Sequence, residues 1–139
     1  MIVLDTNVIS ELMRDDPDPE VISWLDDQPR ASMWTTTITL YEIVSGVLAM
    51  PEGKRQRARL LAFNQILDVM ILGRIATFDA GAAQRAAELE AVGLKSGRPR
   101  DARDTMIAGI VQASHATLAT RNVRHFEDIA ASVVNPWEA

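Results

Sequence analysis

Three acids stand where the chain passes into a helical pattern: Asp5 in Leu4-Asp5-Thr6-Asn7, Glu42 in Thr39-Leu40-Tyr41-Glu42, and Asp104 in Asp101-Ala102-Arg103-Asp104. Each also has a local explanation. Asp5 can cap a helix beginning at Thr6, a role worth about 1 kcal/mol. Thr39 and Glu42 have capping-box spacing, which would put Glu42 at the third helical position. Asp101 can cap the helix in which Asp104 is a first-turn acid favoured by the dipole. Taken together they offer a different chemistry, because junctions after parallel strands can converge at one edge of an α/β sheet. Two carboxylates about 4 Å apart repel by roughly 4 kcal/mol at an effective dielectric of about 20, so three must share protons or hold a cation. The chain has no cysteine, and an all-oxygen ligand set selects Mg²⁺ or Mn²⁺ over zinc. Such an ion, kept partly hydrated, suits the activation of water and the neutralisation of charge on a phosphodiester.

Competing chemistries find little support. There is no phosphate loop ending in Gly-Lys-Ser/Thr, and the glycines at 93 and 97 lack dinucleotide-fingerprint spacing. His115 and His125 pair with no evident nucleophile and read as surface or structural residues, with substrate contact left open for His125. Dehalogenase-like phosphatases and receiver domains start from a strand-end Asp but also use a lysine. The only lysines here, Lys54 and Lys95, follow no strand.

The elements that must position the acids are legible in the hydrophobic pattern. Met1–Leu4 reads as a strand feeding a helix that runs through Met13. Asp15–Pro19 is a turn, and Glu20–Asp27 carries Val21, Trp24 and Leu25 on one helical face. Residues 33–38 read as a second strand, and helical spacing follows over Leu40–Met50, stopped by Pro51 and Gly53. Lys54 to about Val69 is a further amphipathic helix. Arg74–Phe78 is a third strand and Ala80 to about Lys95 an alanine-rich helix closed by the loop Ser96–Pro99. Ala102–His115 is a helix, Thr117–Thr120 a strand, Arg124–Ala131 a short helix or turn, and Ser132–Asn135 a terminal strand. Strands alternating with helices predict an α/β fold: one domain over residues 1–139, with a central parallel sheet of about four to five short strands flanked by helices.

The bulk numbers agree with a single globular domain: 139 residues, 47% hydrophobic and 24% charged. No basic leader or membrane-length apolar run is present, so a cytoplasmic location without membrane association is the expectation. A formal charge of −5 argues against indiscriminate nucleic-acid binding, but the cations are nearly all arginine and are clustered. Arg55, Arg57 and Arg59 read as a solvated helix face. Arg98, Arg100 and Arg103, and Arg121 with Arg124, are better candidates for contacts. The apolar faces of the first two helices and of residues 40–69 exceed what one small sheet needs, with Met13 and Trp24 as candidates for a partner surface.

The stretches Leu4–Glu11, Thr39–Gly46, Asp104–Gly109, Ala119-Thr120-Arg121-Asn122 and Asn135-Pro136-Trp137 span the chain in order. Through them it resembles the PIN-domain ribonucleases of VapC/FitB-like type, the toxins of type II toxin–antitoxin pairs, with the FitB-like branch nearest. The resemblance implies an Mg²⁺-dependent (or Mn²⁺-dependent) ribonuclease in which Asp5, Asp104 and Glu42 are the metal-binding and catalytic acids. It also implies a homodimer, an RNA substrate, a cognate antitoxin protein, and contact with DNA only through that antitoxin. Where the family often has a fourth acid this chain has Asn122, so the fourth site residue is Asn122 or Asp101, the latter also explicable as a helix cap. Asn7 and Thr120 are expected to orient the acids, and Arg121, Arg100 and Arg103 to contact phosphates. A different class of reading is a catalytically silent PIN-like binding module that works only within an antitoxin–DNA complex.

Overall fold

Successive side chains of a strand point to opposite faces of its sheet, and β1 (Ile2–Leu4) uses both. Val3 and Leu4 are each completely buried, in different hydrophobic clusters. The computed structural model describes residues 1–139. Its sheet has β2 at Met33–Thr36, β3 at Ile75–Ala76, β4 at Thr117–Ala119 and β5 at Val133–Val134, in the order β3-β2-β1-β4-β5. Every pairing is parallel. The chain steps outward from β1 through β2 to β3, then returns to the other side of β1 as β4. The strand order therefore reverses between β1 and β4, and the loops leaving those two strands diverge to open a crevice. The register Leu4↔Ala119 brings the next residues, Asp5 and Thr120, level with each other at its floor.

Six helices cover the sheet: α1 (Thr6–Leu12), α2 (Pro19–Asp26), α3 (Thr37–Leu48), α4 (Lys54–Gln65), α5 (Ala80–Lys95) and α6 (Ala102–Ala113). On one face Leu4 packs with Val8, Ile9, Val21, Phe63 and Ile71. On the other Val3 packs with Ile107, Val111, Leu118 and Phe126. Each such side chain contributes about 1.5–3 kcal/mol when fully buried, so the sheet is held from both sides. No helix is long and apolar enough to cross a membrane.

The helix boundaries differ from the sequence reading where side chains bond to the backbone. β2 stops at Thr36 because the Thr36 hydroxyl accepts from the Thr39 amide and starts α3 at Thr37, within the stretch expected to be strand. Glu42 is then the sixth helical residue, not the third, so the expected capping box does not form and its carboxylate is free of any capping duty. At the other end α4 gives way to a π-helical turn, Ile66–Ile71, that Leu72 ends in the left-handed conformation at φ 51°. Met13, expected at a partner surface, is buried in the core, and Trp24 is half-buried against the same cluster.

Candidate active site

Asp5 leaves β1 as the N-cap of α1, so the capping role and the site role coincide in one side chain. Its Oδ1 accepts from the Thr6 amide at 2.7 Å; its Oδ2 accepts from the Thr120 hydroxyl at 2.7 Å and from Asn7 Nδ2 at 3.4 Å. Thr120 is completely buried, and its hydroxyl also accepts from Asn7 Nδ2 and from the Asn122 amide. One donor and two acceptors are thus all used. Asn7 Oδ1 in turn accepts from the Arg121 amide at 3.1 Å. Thr120 and Asn7 therefore lock the Asp5 carboxylate to the end of β4. Burial pushes the Asp5 carboxyl up to about 6, against the lowering effect of the Thr120 and Thr6 hydrogen bonds, and the charges of Asp104 and Glu42 push it the same way.

Glu42 reaches the crevice from α3. Its Oε1 accepts from the Thr6 hydroxyl at 3.0 Å, and Thr6 is 3.0 Å from the Thr39 hydroxyl, which accepts from Thr36. With Thr6 donating to Glu42, Thr39 must donate to Thr6, so every hydroxyl of this chain donates once and in the direction of the carboxylate. Arg103 stands 3.6 Å from Glu42 Oε2. Asp104 is the third residue of α6, and its Oδ2 is 2.9 Å from His125 Nδ1. Asp5, Glu42 and Asp104 thus line one polar cleft of about 660 Å³, together with Asn122, Arg121 and Arg59.

The remaining sequence candidates separate cleanly. Asp101 is the N-cap of α6, accepting from the Arg103 and Asp104 amides, and it lines a neighbouring cleft with Arg98 and Arg124, not the one holding Asp5. Asn122 lies in the carboxylate cleft, with its side-chain amide taking no protein partner. Arg100, expected among the phosphate contacts, is instead consumed internally: its side chain is 8% exposed, pairs with Asp128, and donates to Thr105 Oγ1 and the His125 carbonyl. That pairing holds the Asp128 carboxyl below its ordinary range. Arg103 remains at the rim, occupied with Glu42. Arg59, read from sequence as a solvated face, lines the cleft because α4 packs across α3; nothing in its helix marks it. Trp137, marked in the sequence only within the stretch Asn135-Pro136-Trp137, lines the cleft, and His125, left open for substrate contact, meets Asp104; both placements depend on pairings distant in sequence.

The donor set fits a hard divalent cation. It is entirely carboxylate and amide oxygen, the hard ligand type that such an ion takes. No three acids or histidines stand close enough to enclose an ion by themselves, so an ion held here would complete its shell with water. Asn122 supplies an oxygen without charge. Asn122→Asp is accordingly expected to lower the melting temperature of the metal-free protein by adding repulsion, and to lower the Mg²⁺ concentration that raises it. Mg²⁺ titrations of the melting temperature check both signs; unchanged values would place Asn122 outside the site.

The PIN domain profile matches residues 2–132. The chain is 39% identical over 139 residues to the plasmid stability protein StbB of Pseudomonas syringae pv. tomato, covering all of both chains. It is 38% identical over 142 residues to the VapC ribonuclease Y4jK of Sinorhizobium fredii, and 33% identical over 137 residues to the toxin FitB of Neisseria gonorrhoeae, with 99% of each chain covered. Among solved structures, FitAB bound to an IR36 DNA fragment superposes with a TM-score of 0.88 at 33% identity, over 99% of this chain and 96% of that one.

Proposed function

This chain belongs to the PIN-domain family, and from that premise we propose that it is a metal-dependent endoribonuclease serving as the toxin of a type II toxin–antitoxin pair. The observation that carries the reading is the convergence of Asp5 from the N-cap of α1, Glu42 from the middle of α3 and Asp104 from the first turn of α6 on one polar cleft. Relatives named a VapC ribonuclease and a toxin, similar from end to end, support the same activity and role here.

Asp5 and Asp104 would hold Mg²⁺ or Mn²⁺, with Glu42 sharing it or positioning the attacking water. Such an ion, when bound, neutralises charge on the phosphodiester and makes water a better nucleophile. The chain's own groups prepare the geometry. Thr120 and Asn7 occupy one Asp5 oxygen and the Thr6 amide takes one lone pair of the other, which leaves a single lone pair for the cleft. The threonine relay fixes one oxygen of Glu42, and Arg103 holds its other oxygen at the rim, where the guanidinium can pass to an RNA phosphate.

Partners follow from the surface. Tyr41 and Leu48, seven residues apart on α3, are 64% and 66% exposed, an apolar stripe suited to a second copy or to an antitoxin segment. DNA would be met only through the antitoxin. A cytoplasmic setting, where RNA is met, completes the proposal. The deciding experiment incubates the purified protein with single-stranded RNA: cleavage in Mg²⁺, its loss on chelation and its return with added metal are expected. RNA left intact under all three conditions would leave the silent binding module as the reading.

A further inference from the structure

The cleft holds one feature that hydrolysis does not use. Trp137 is its only apolar lining residue, and the Arg121 guanidinium lies over the indole, 4.9 Å from the ring centroid. Asp5, Glu11, Glu42 and Asp104 all line the same cleft, yet Arg121 enters none of the chain's ion pairs. Its place on the indole is therefore not a by-product of pairing with an acid.

The stack is also anchored from beneath. The Arg121 amide donates to Asn7 Oδ1 at 3.1 Å, and the Trp137 amide donates to Asn135 Oδ1 at 2.9 Å. The indole packs against the core cluster under β1 and β5. The backbone under both residues and the indole itself are thus set during folding, before any ligand arrives. A guanidinium has two faces. One rests on Trp137; Arg121 is exposed, so the other is left to the cleft. A planar cation with an open face suits a nucleobase, whereas a phosphate takes the N–H groups at the edge of the same plane.

We infer that the Arg121–Trp137 stack is a base platform, on which an unpaired nucleobase next to the phosphodiester addressed by Asp5 and Asp104 stacks against the free face of Arg121. This rests on the ribonuclease reading of the same cleft and deepens it. Every base has a π-face, so the platform selects single-stranded or looped RNA without selecting a sequence.

Binding is measured by anisotropy of a labelled single-stranded oligoribonucleotide at low salt in EDTA, against an abasic strand of the same length and charge. The parent should bind the strand with bases about five- to a hundred-fold more tightly. Arg121→Lys keeps the charge and loses the plane, so it should bring the affinity for that strand down to about the abasic level. Trp137→Phe, a smaller support, should reduce the preference partway. Equal affinity of the parent for both strands, no binding of either, or an Arg121→Lys protein that keeps the full preference would overturn the platform. Cleavage in Mg²⁺ is assayed separately on the same preparations. Cleavage without base-dependent binding overturns the platform and leaves the ribonuclease standing; base-dependent binding without cleavage does the reverse.

Discussion

Asp5→Asn is expected to give a folded protein whose RNA cleavage falls by at least about a hundred-fold while its metal-free form becomes more stable. The two effects share one cause. Asp5 is 3% exposed and its carboxyl is raised from 3.8 to about 6. In an acid, a raised folded-state value means that the folded protein holds the proton more tightly than the unfolded chain does. That stabilisation is fully present below pH 3.8 and is lost as the pH rises through about 6, so the ionised carboxylate weighs against the fold at neutral pH. A shift of this size corresponds to at most about 3 kcal/mol. Asparagine removes the charge, yet its oxygen can accept only one of the bonds now shared between Thr6 and Thr120, so part of the gain is offset. The melting temperature in EDTA should rise by a few degrees and by no more than about 10 °C. The difference should be largest above pH 6 and shrink toward pH 4. Added Mg²⁺ should stabilise the parent and not the variant. A variant that cleaves as fast as the parent would remove Asp5 from the metal site, and one less stable in EDTA at pH 7 would show that the lost hydrogen bonds outweigh the buried charge.

Gly109→Ala is expected to cost about 2–4 kcal/mol, although alanine is the better helix former by about 1 kcal/mol. A Cβ at Gly109 would stand 2.4 Å from the Ala82 carbonyl oxygen, 2.9 Å from the Ala86 Cβ and 3.0 Å from the Ala86 amide nitrogen. Two of these are backbone atoms of α5, which cannot swing aside as a flexible side chain can, so α5 and α6 must separate. Gly46 is the internal control: it lies within α3, and a Cβ there meets nothing within 4 Å. Gly46→Ala should therefore gain about 0.5–1 kcal/mol. Chemical denaturation of the two variants reads opposite signs from the same substitution. Because α6 carries Asp104 at its start, Gly109→Ala should also lower cleavage under conditions where the protein is still folded. If both variants were stabilised, the close approach of α5 and α6 would be wrong.

Much of this protein is local and was written in its residue order. The short apolar run Met1–Leu4, the caps at Asp5 and Asp101, and helix-spaced apolar residues from Val8 to Val111 determined which segments become strands and helices. Their order implied parallel crossovers, but the reversal of strand order that opens the crevice between β1 and β4 was decided only in the packed sheet. That Asp5 opens a helix after a strand needed only its neighbours. The start of α3 differs from the sequence expectation because Thr36 could cap a helix or continue the strand, and only the packed chain chose between them. That choice moved Glu42 from a capping duty to the site. The roles of the arginines lay further out of reach. Arg100 is tied to Asp128, Arg103 to Glu42 and Arg121 to Trp137, and in the sequence all four cations of the 98–103 and 121 stretches look alike. A guanidinium is long and carries several donors, so its partner is decided by whichever acceptor or ring the fold brings within reach. Hydrophobic periodicity is a property of neighbours along the chain, and it sets the elements; the partner of a charge is a property of neighbours in space, and tertiary packing alone supplies those.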